Sequence, residues 1–94
     1  MKDLDIESAK RLAKNGQREE AIVMLHQMLE VGEKDRETIL LELGAIYYAK
    51  GDTVQALNHL NEVMRINPIN RKAKAYLEMI NGILNYYCKD LLNP

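Results

Sequence analysis

The chain has little of what usually announces a chemistry. It carries one cysteine, Cys88, which cannot close an internal disulfide and agrees with a reducing compartment. An excess of charge is also missing: 13 lysines and arginines face 14 aspartates and glutamates, for a net charge of -1. That balance supplies no broad positive field for a phosphate backbone or an anionic bilayer, so neither nucleic acid nor membrane is expected as a partner. No apolar run approaches the ~20 residues that span a bilayer, and none follows the opening Met1-Lys2-Asp3-Leu4-Asp5. The expected location is cytoplasmic. The two histidines, His26 and His59, sit in no metal-ligand or acid-base spacing, and the five glycines are isolated rather than gathered into a phosphate loop. No catalytic residue, cofactor or metal is expected, and the chain is read as a non-enzyme.

What is present is a repeat. Asn15-Gly16-Gln17-Arg18-Glu19-Glu20-Ala21 is echoed by Lys50-Gly51-Asp52-Thr53-Val54-Gln55-Ala56, Gly16 to Gly51 being an offset of 35. Leu25 then matches Leu60, Met28 matches Val63 and Val31 matches Ile66, the three- and four-residue spacing of one helix face. Each copy therefore reads as helix, turn, helix. In the second copy Gly51 is suited to a left-handed C-cap, Asp52 to an N-cap with Gln55 completing a capping box, and Asn67-Pro68 to a helix stop. Asn70 is suited to cap the helix that follows. Gly44 and Ala56 are the small residues that let the two helices of the copy approach closely.

The order Leu40-x-x-Leu43-Gly44-x-x-Tyr47, Gly51, Ala56-x-x-x-Leu60, Val63, Pro68 resembles the signature of the tetratricopeptide-repeat (TPR) family. Leu40 stands where that family usually has tryptophan, and Leu60 where it usually has phenylalanine. The first copy is degenerate, with Asp5, Ser8, Ala9 and Leu12 at the places of Leu40, Leu43, Gly44 and Tyr47, as suits an N-terminal repeat with nothing before it to cover. A third copy opens near Arg71 but has Glu78, Asn81 and Asn85 where the small, aromatic and turn residues belong, so one long helix is predicted to run from there to about Leu92. The expectation is an all-α chain of five helices, a single domain with repeat 1 at about 2–35, repeat 2 at about 37–70 and a capping helix at about 71–92. The resemblance implies a right-handed α-α superhelix.

On the capping helix, Ala73, Leu77, Ile80, Leu84, Tyr87, Cys88 and Leu91 share one side at ~100° per residue. Ala75, Met79, Ile83 and Tyr86 cluster opposite, which is more apolar surface than a simple cap requires. The middle helix shows a like excess in Leu41, Ala45 and Tyr48. In the family resembled, the first helix of each repeat lines a concave groove. By that resemblance Ile6, Lys10, Leu41, Ala45, Tyr48, Lys72, Ala75, Met79 and Ile83 would face a largely apolar groove that takes a polypeptide. Ile6, Glu42, Ala75 and Met79 stand where lysines and asparagines would be needed to grip an acidic C-terminus, so that family mode is not expected. Arg71, Lys72 and Lys74 read as a solvated face. The alternative is self-association, a homodimer through the stripe Tyr76, Met79, Ile83 and Tyr86.

Overall fold

The computed structural model describes residues 4–32 and 35–87, with side chains described as far as Gly82. Among them are five helices and no strand: α1 (Ile6–Lys14), α2 (Arg18–Glu30), α3 (Arg36–Lys50), α4 (Thr53–Ile66) and α5 (Arg71–Tyr87). The expected continuation of the last helix to Leu92, and with it Cys88 and Leu91, lies outside the described residues.

The offset of 35 recurs in the backbone hydrogen bonding. At the end of α1 the Gln17 N–H donates to Leu12 O (2.8 Å) and the Gly16 N–H to Ala13 O (3.1 Å). Thirty-five residues on, Asp52 N–H donates to Tyr47 O (2.9 Å) and Gly51 N–H to Tyr48 O (3.0 Å). Both glycines are left-handed, at φ 85° and 84°, so each copy turns on the same glycine-dependent closure of a helix C-terminus. The equivalent helix faces also match: Ala21 and Ala56, Leu25 and Leu60, Met28 and Val63 are all buried. Val31 and Ile66 extend the pattern in sequence but not in packing, being 66% and 45% exposed at the ends of their helices.

Side-chain caps start α1, α4 and α5, while α2 and α3 begin without one. Asp5 Oδ1 accepts from Ser8 N–H at 2.7 Å, so the two polar residues that break the repeat pattern build the start of α1. Asn70 Oδ1 accepts from Ala73 N–H at 2.9 Å and starts α5. Asp52 Oδ1 accepts from Gln55 N–H at 3.1 Å, but the expected capping box is not closed. The Asp52 N–H is already donated to Tyr47 O in the preceding turn, which leaves the Gln55 side chain nothing to receive.

Each helix packs on the next in sequence, and α3 also touches α1 and α5. α3 is therefore buried from two sides. Ile39, Leu43 and Ile46 join Ala9 of α1 and Ala21, Ile22, Met24, Leu25 and Met28 of α2 in one core. Leu40 and Leu41 join Ala56, Leu60 and Val63 of α4 and Ala73 and Ile80 of α5 in a second, with Tyr47 and Leu29 packed against both. A helix with neighbours on both sides needs apolar residues around most of its circumference, which accounts for much of the excess seen in its sequence. The approach of α3 to α4 is closest at Gly44, where an added Cβ would lie 2.7 Å from both Cγ and Cδ2 of Leu60.

Polar ties hold successive units in register. Glu37 Oε2 accepts from Asn67 Nδ2 (2.8 Å) and from Asn70 Nδ2 (2.7 Å), clasping the first turn of α3 to the loop that launches α5. Lys50 pairs with Glu19, joining the end of α3 to the start of α2, and its ammonium lies 5.8 Å from the Tyr47 ring centre.

Candidate functional site

The first helices of the three units place one side chain after another along a common face. Between α1 and α3 lies a depression of about 690 Å³ bordered by Glu7, Lys10, Arg11, Lys14 and Arg18 on one wall and by Glu42, Ala45, Ile46 and Ala49 on the other. Between α3 and α5 lies a second, of about 400 Å³, formed by Leu41, Glu42, Ala45, Lys72, Ala75, Tyr76 and Met79. Glu42 and Ala45 belong to both, so the two adjoin along α3 and are taken together as one groove on the face of α1, α3 and α5.

Six of the residues expected in the groove border it, Lys10 in the first half, Ala45 in both, and Leu41, Lys72, Ala75 and Met79 in the second, where Tyr76 of the expected dimer stripe also lies. Met79 is 46% exposed, the most open large apolar side chain on the face. Leu41 is only 9% exposed, because it is also part of the core beneath α5, and it forms floor rather than contact surface.

Two of the expected groove residues, Ile6 and Tyr48, do not border these depressions. Ile6 packs against the first core and borders a separate depression with Leu4, Met28 and Ile39. The short α1 begins only at Ile6, and its first turn is occupied in closing the end of the core. Tyr48 borders neither half of the groove. It packs edge-on against Tyr76, ring centres 5.5 Å apart at 65°, a contact between α3 and α5 beside the second core. The side chains of Ile83 and Tyr86 lie outside those described.

The groove is also more charged than its sequence suggested. Lys10 Nζ is 3.8 Å from Glu42 Oε1 and 4.0 Å from Glu7 Oε1, an ion-paired bridge across the first half. Arg11, Lys14 and Arg18 stand around it and enter no ion pair among the described residues. These three were missed because they come from the end of one helix and the start of the next. A running charge tally finds them: residues 10–18 hold four basic side chains and no acidic one.

No family model, curated protein or solved structure matches the chain.

The remaining titratable cluster lies away from the groove. His26 of α2 and His59 of α4 meet edge to face with ring centres 5.7 Å apart, and His59 stacks on Tyr47 of α3 at 5.2 Å and 23°. His59 Nδ1 lies 2.7 Å from Gln55 O, which makes that nitrogen the donor. Burial, then the neighbouring His59, lowers the pKa of His26 below its ordinary value, while Glu30 opposes the shift. This ring stack joins α2 to α4 across the two cores. No group of three or more His, Cys, Asp or Glu is arranged to hold a metal among the described residues, and none of the described helices is long and apolar enough to cross a membrane.

Proposed function

We propose that the chain is a non-catalytic interaction module of TPR type, two helical hairpins and a capping helix, that holds a polypeptide in the groove crossing α1, α3 and α5. The residue pattern Leu43-Gly44, Tyr47, Ala56 and Pro68 and the recurrence of the glycine turn at an offset of 35 support the repeat assignment. The observation that carries the functional reading is the joining of two depressions through Glu42 and Ala45, with half-exposed Met79 on the rim. A continuous trough with an open apolar side chain beside small alanines is a fitting surface for an extended or helical segment bearing bulky side chains.

Capture of cytoplasmic proteins on immobilised wild type and on Met79→Glu tests this. The charge should abolish capture while leaving the helical circular dichroism and the unfolding midpoint unchanged, since Met79 is not in either core. Undiminished capture would show that the groove is not the site.

Self-association is the second reading. Met79 favours it as an exposed member of the predicted dimer stripe, while Tyr76 is partly buried and in edge contact with Tyr48. A homodimer through this stripe predicts a mass that doubles with concentration in light scattering and stays monomeric for Met79→Glu.

A further inference from the structure

The two halves of the groove differ in chemistry, and the difference describes an occupant. In the α3/α5 half the exposed wall is Ala75 and Met79 over a floor of Leu41, suited to one large apolar side chain. In the α1/α3 half four basic side chains face two carboxylates. Lys10 is already shared between Glu7 and Glu42, which leaves Arg11, Lys14 and Arg18, with Arg11 also in the field of Asp5, as the positive surplus among the described residues. Arg11 and Lys14 lie in the last turn of α1, where they complement its dipole. Arg18 opens α2, where the dipole disfavours a cation, so helix electrostatics do not explain its presence.

We propose that the groove is polar along its length and takes an amphipathic polypeptide segment. The segment's large apolar side chain enters the Leu41–Ala75–Met79 half, and its acidic side chains lie against Arg11, Lys14 and Arg18. This rests on the groove being the binding site. Glu42, at the junction, is paired with Lys10, so the uncompensated positive charge lies beyond it at Arg11, Lys14 and Arg18 and gives acidic groups one favourable end. A nucleic-acid strand fits less well, because Glu7 and Glu42 interrupt the positive wall and the apolar half offers a phosphate only Lys72.

The test is selection of a random displayed peptide library against the wild-type chain. Anisotropy titrations of the enriched peptides follow on wild type, Met79→Glu and a charge-neutral triple variant, Arg11→Gln/Lys14→Gln/Arg18→Gln. Enriched peptides should pair a large aliphatic or aromatic residue with a run of Asp or Glu. They should weaken about tenfold on the triple variant, in keeping with three exposed ion pairs of modest strength each, and weaken further as salt is raised. The triple variant changes only exposed side chains, and its circular dichroism checks that it is folded. Peptides that depend on Met79 but show no acidic bias, or bind the triple variant unchanged, would overturn the charge assignment and leave the groove reading standing. An absence of any peptide sensitive to Met79→Glu would overturn both. Binding of a labelled oligouridylate that is lost in the triple variant would replace the polypeptide with nucleic acid.

Discussion

Gly44→Ala should destabilise this chain although alanine is the better helix former. In an unobstructed helix the change gains about 1 kcal/mol. At position 44 the new Cβ would fall 2.7 Å from Leu60 Cγ and Cδ2, well inside contact distance, and Leu60 is fully buried. Cγ is the branch point of the side chain, so relief requires α3 and α4 to separate or Leu60 to leave its rotamer. Overpacking of this kind costs about 1–3 kcal/mol, and it acts at the helix pair that makes the most extensive contact in the fold. The net expectation is a loss of up to about 2 kcal/mol. Gly82, in α5, supplies the control, since a Cβ there meets nothing within 4 Å and Gly82→Ala should stabilise by about 0.5–1 kcal/mol. With a urea m-value of about 1 kcal/mol per M, the two midpoints should stand about 2 M apart, on opposite sides of wild type. In a Leu60→Ala background the two atoms that cause the clash are gone, and Gly44→Ala should turn neutral or stabilising, a coupling that a double-mutant cycle measures. Equal stabilisation by both alanine substitutions would refute the close approach of α3 and α4 at Gly44.

Three further outcomes are expected. Glu37→Ala strands the side-chain amides of Asn67 and Asn70 and should cost about 1–2 kcal/mol in urea unfolding, while Glu37→Gln, which keeps an acceptor, should lose about half as much. The folded-state pKa of His26 is lowered, so the unfolded chain binds its proton more readily. Stability should therefore fall as pH drops through the ordinary histidine range towards the lowered folded value, and His26→Gln should flatten that part of a pH series of thermal midpoints. The Asp5 carboxylate has its pKa lowered, first by the Ser8 backbone hydrogen bond. Its contribution is present above the usual carboxylate range and lost as pH falls below it, and Asp5→Asn should weaken that acid-side loss without altering the response of His26.

The repeat was legible because its punctuation is chemical. A glycine at each first turn takes φ near 85°, which other residues resist, and asparagine before proline stops a helix wherever it occurs. The groove was legible only in part. Ala45, Ala75 and Met79 stand where helical spacing placed them, but spacing on one helix does not count its neighbours. Leu41 therefore read as surplus until α5 was seen to cover it. Tyr48 and Tyr76 read as two separate exposed aromatics and are one interhelical contact. The clasp of Glu37 with Asn67 and Asn70 spans about thirty residues of chain and has no local signature. Arg11, Lys14 and Arg18 converge only because the turn at Gly16 brings two helix ends to one wall.

The central claim is that a polypeptide occupies the face made by α1, α3 and α5. Backbone amide shifts recorded while a selected peptide is titrated into isotopically labelled protein test it most directly. The account predicts perturbations gathered at Lys10, Glu42, Ala45, Ala75 and Met79, with Val23 and Val54 on the second helices unmoved. Perturbations centred on Val23, Val54 and the His26–His59 pair, with the groove silent, would contradict it.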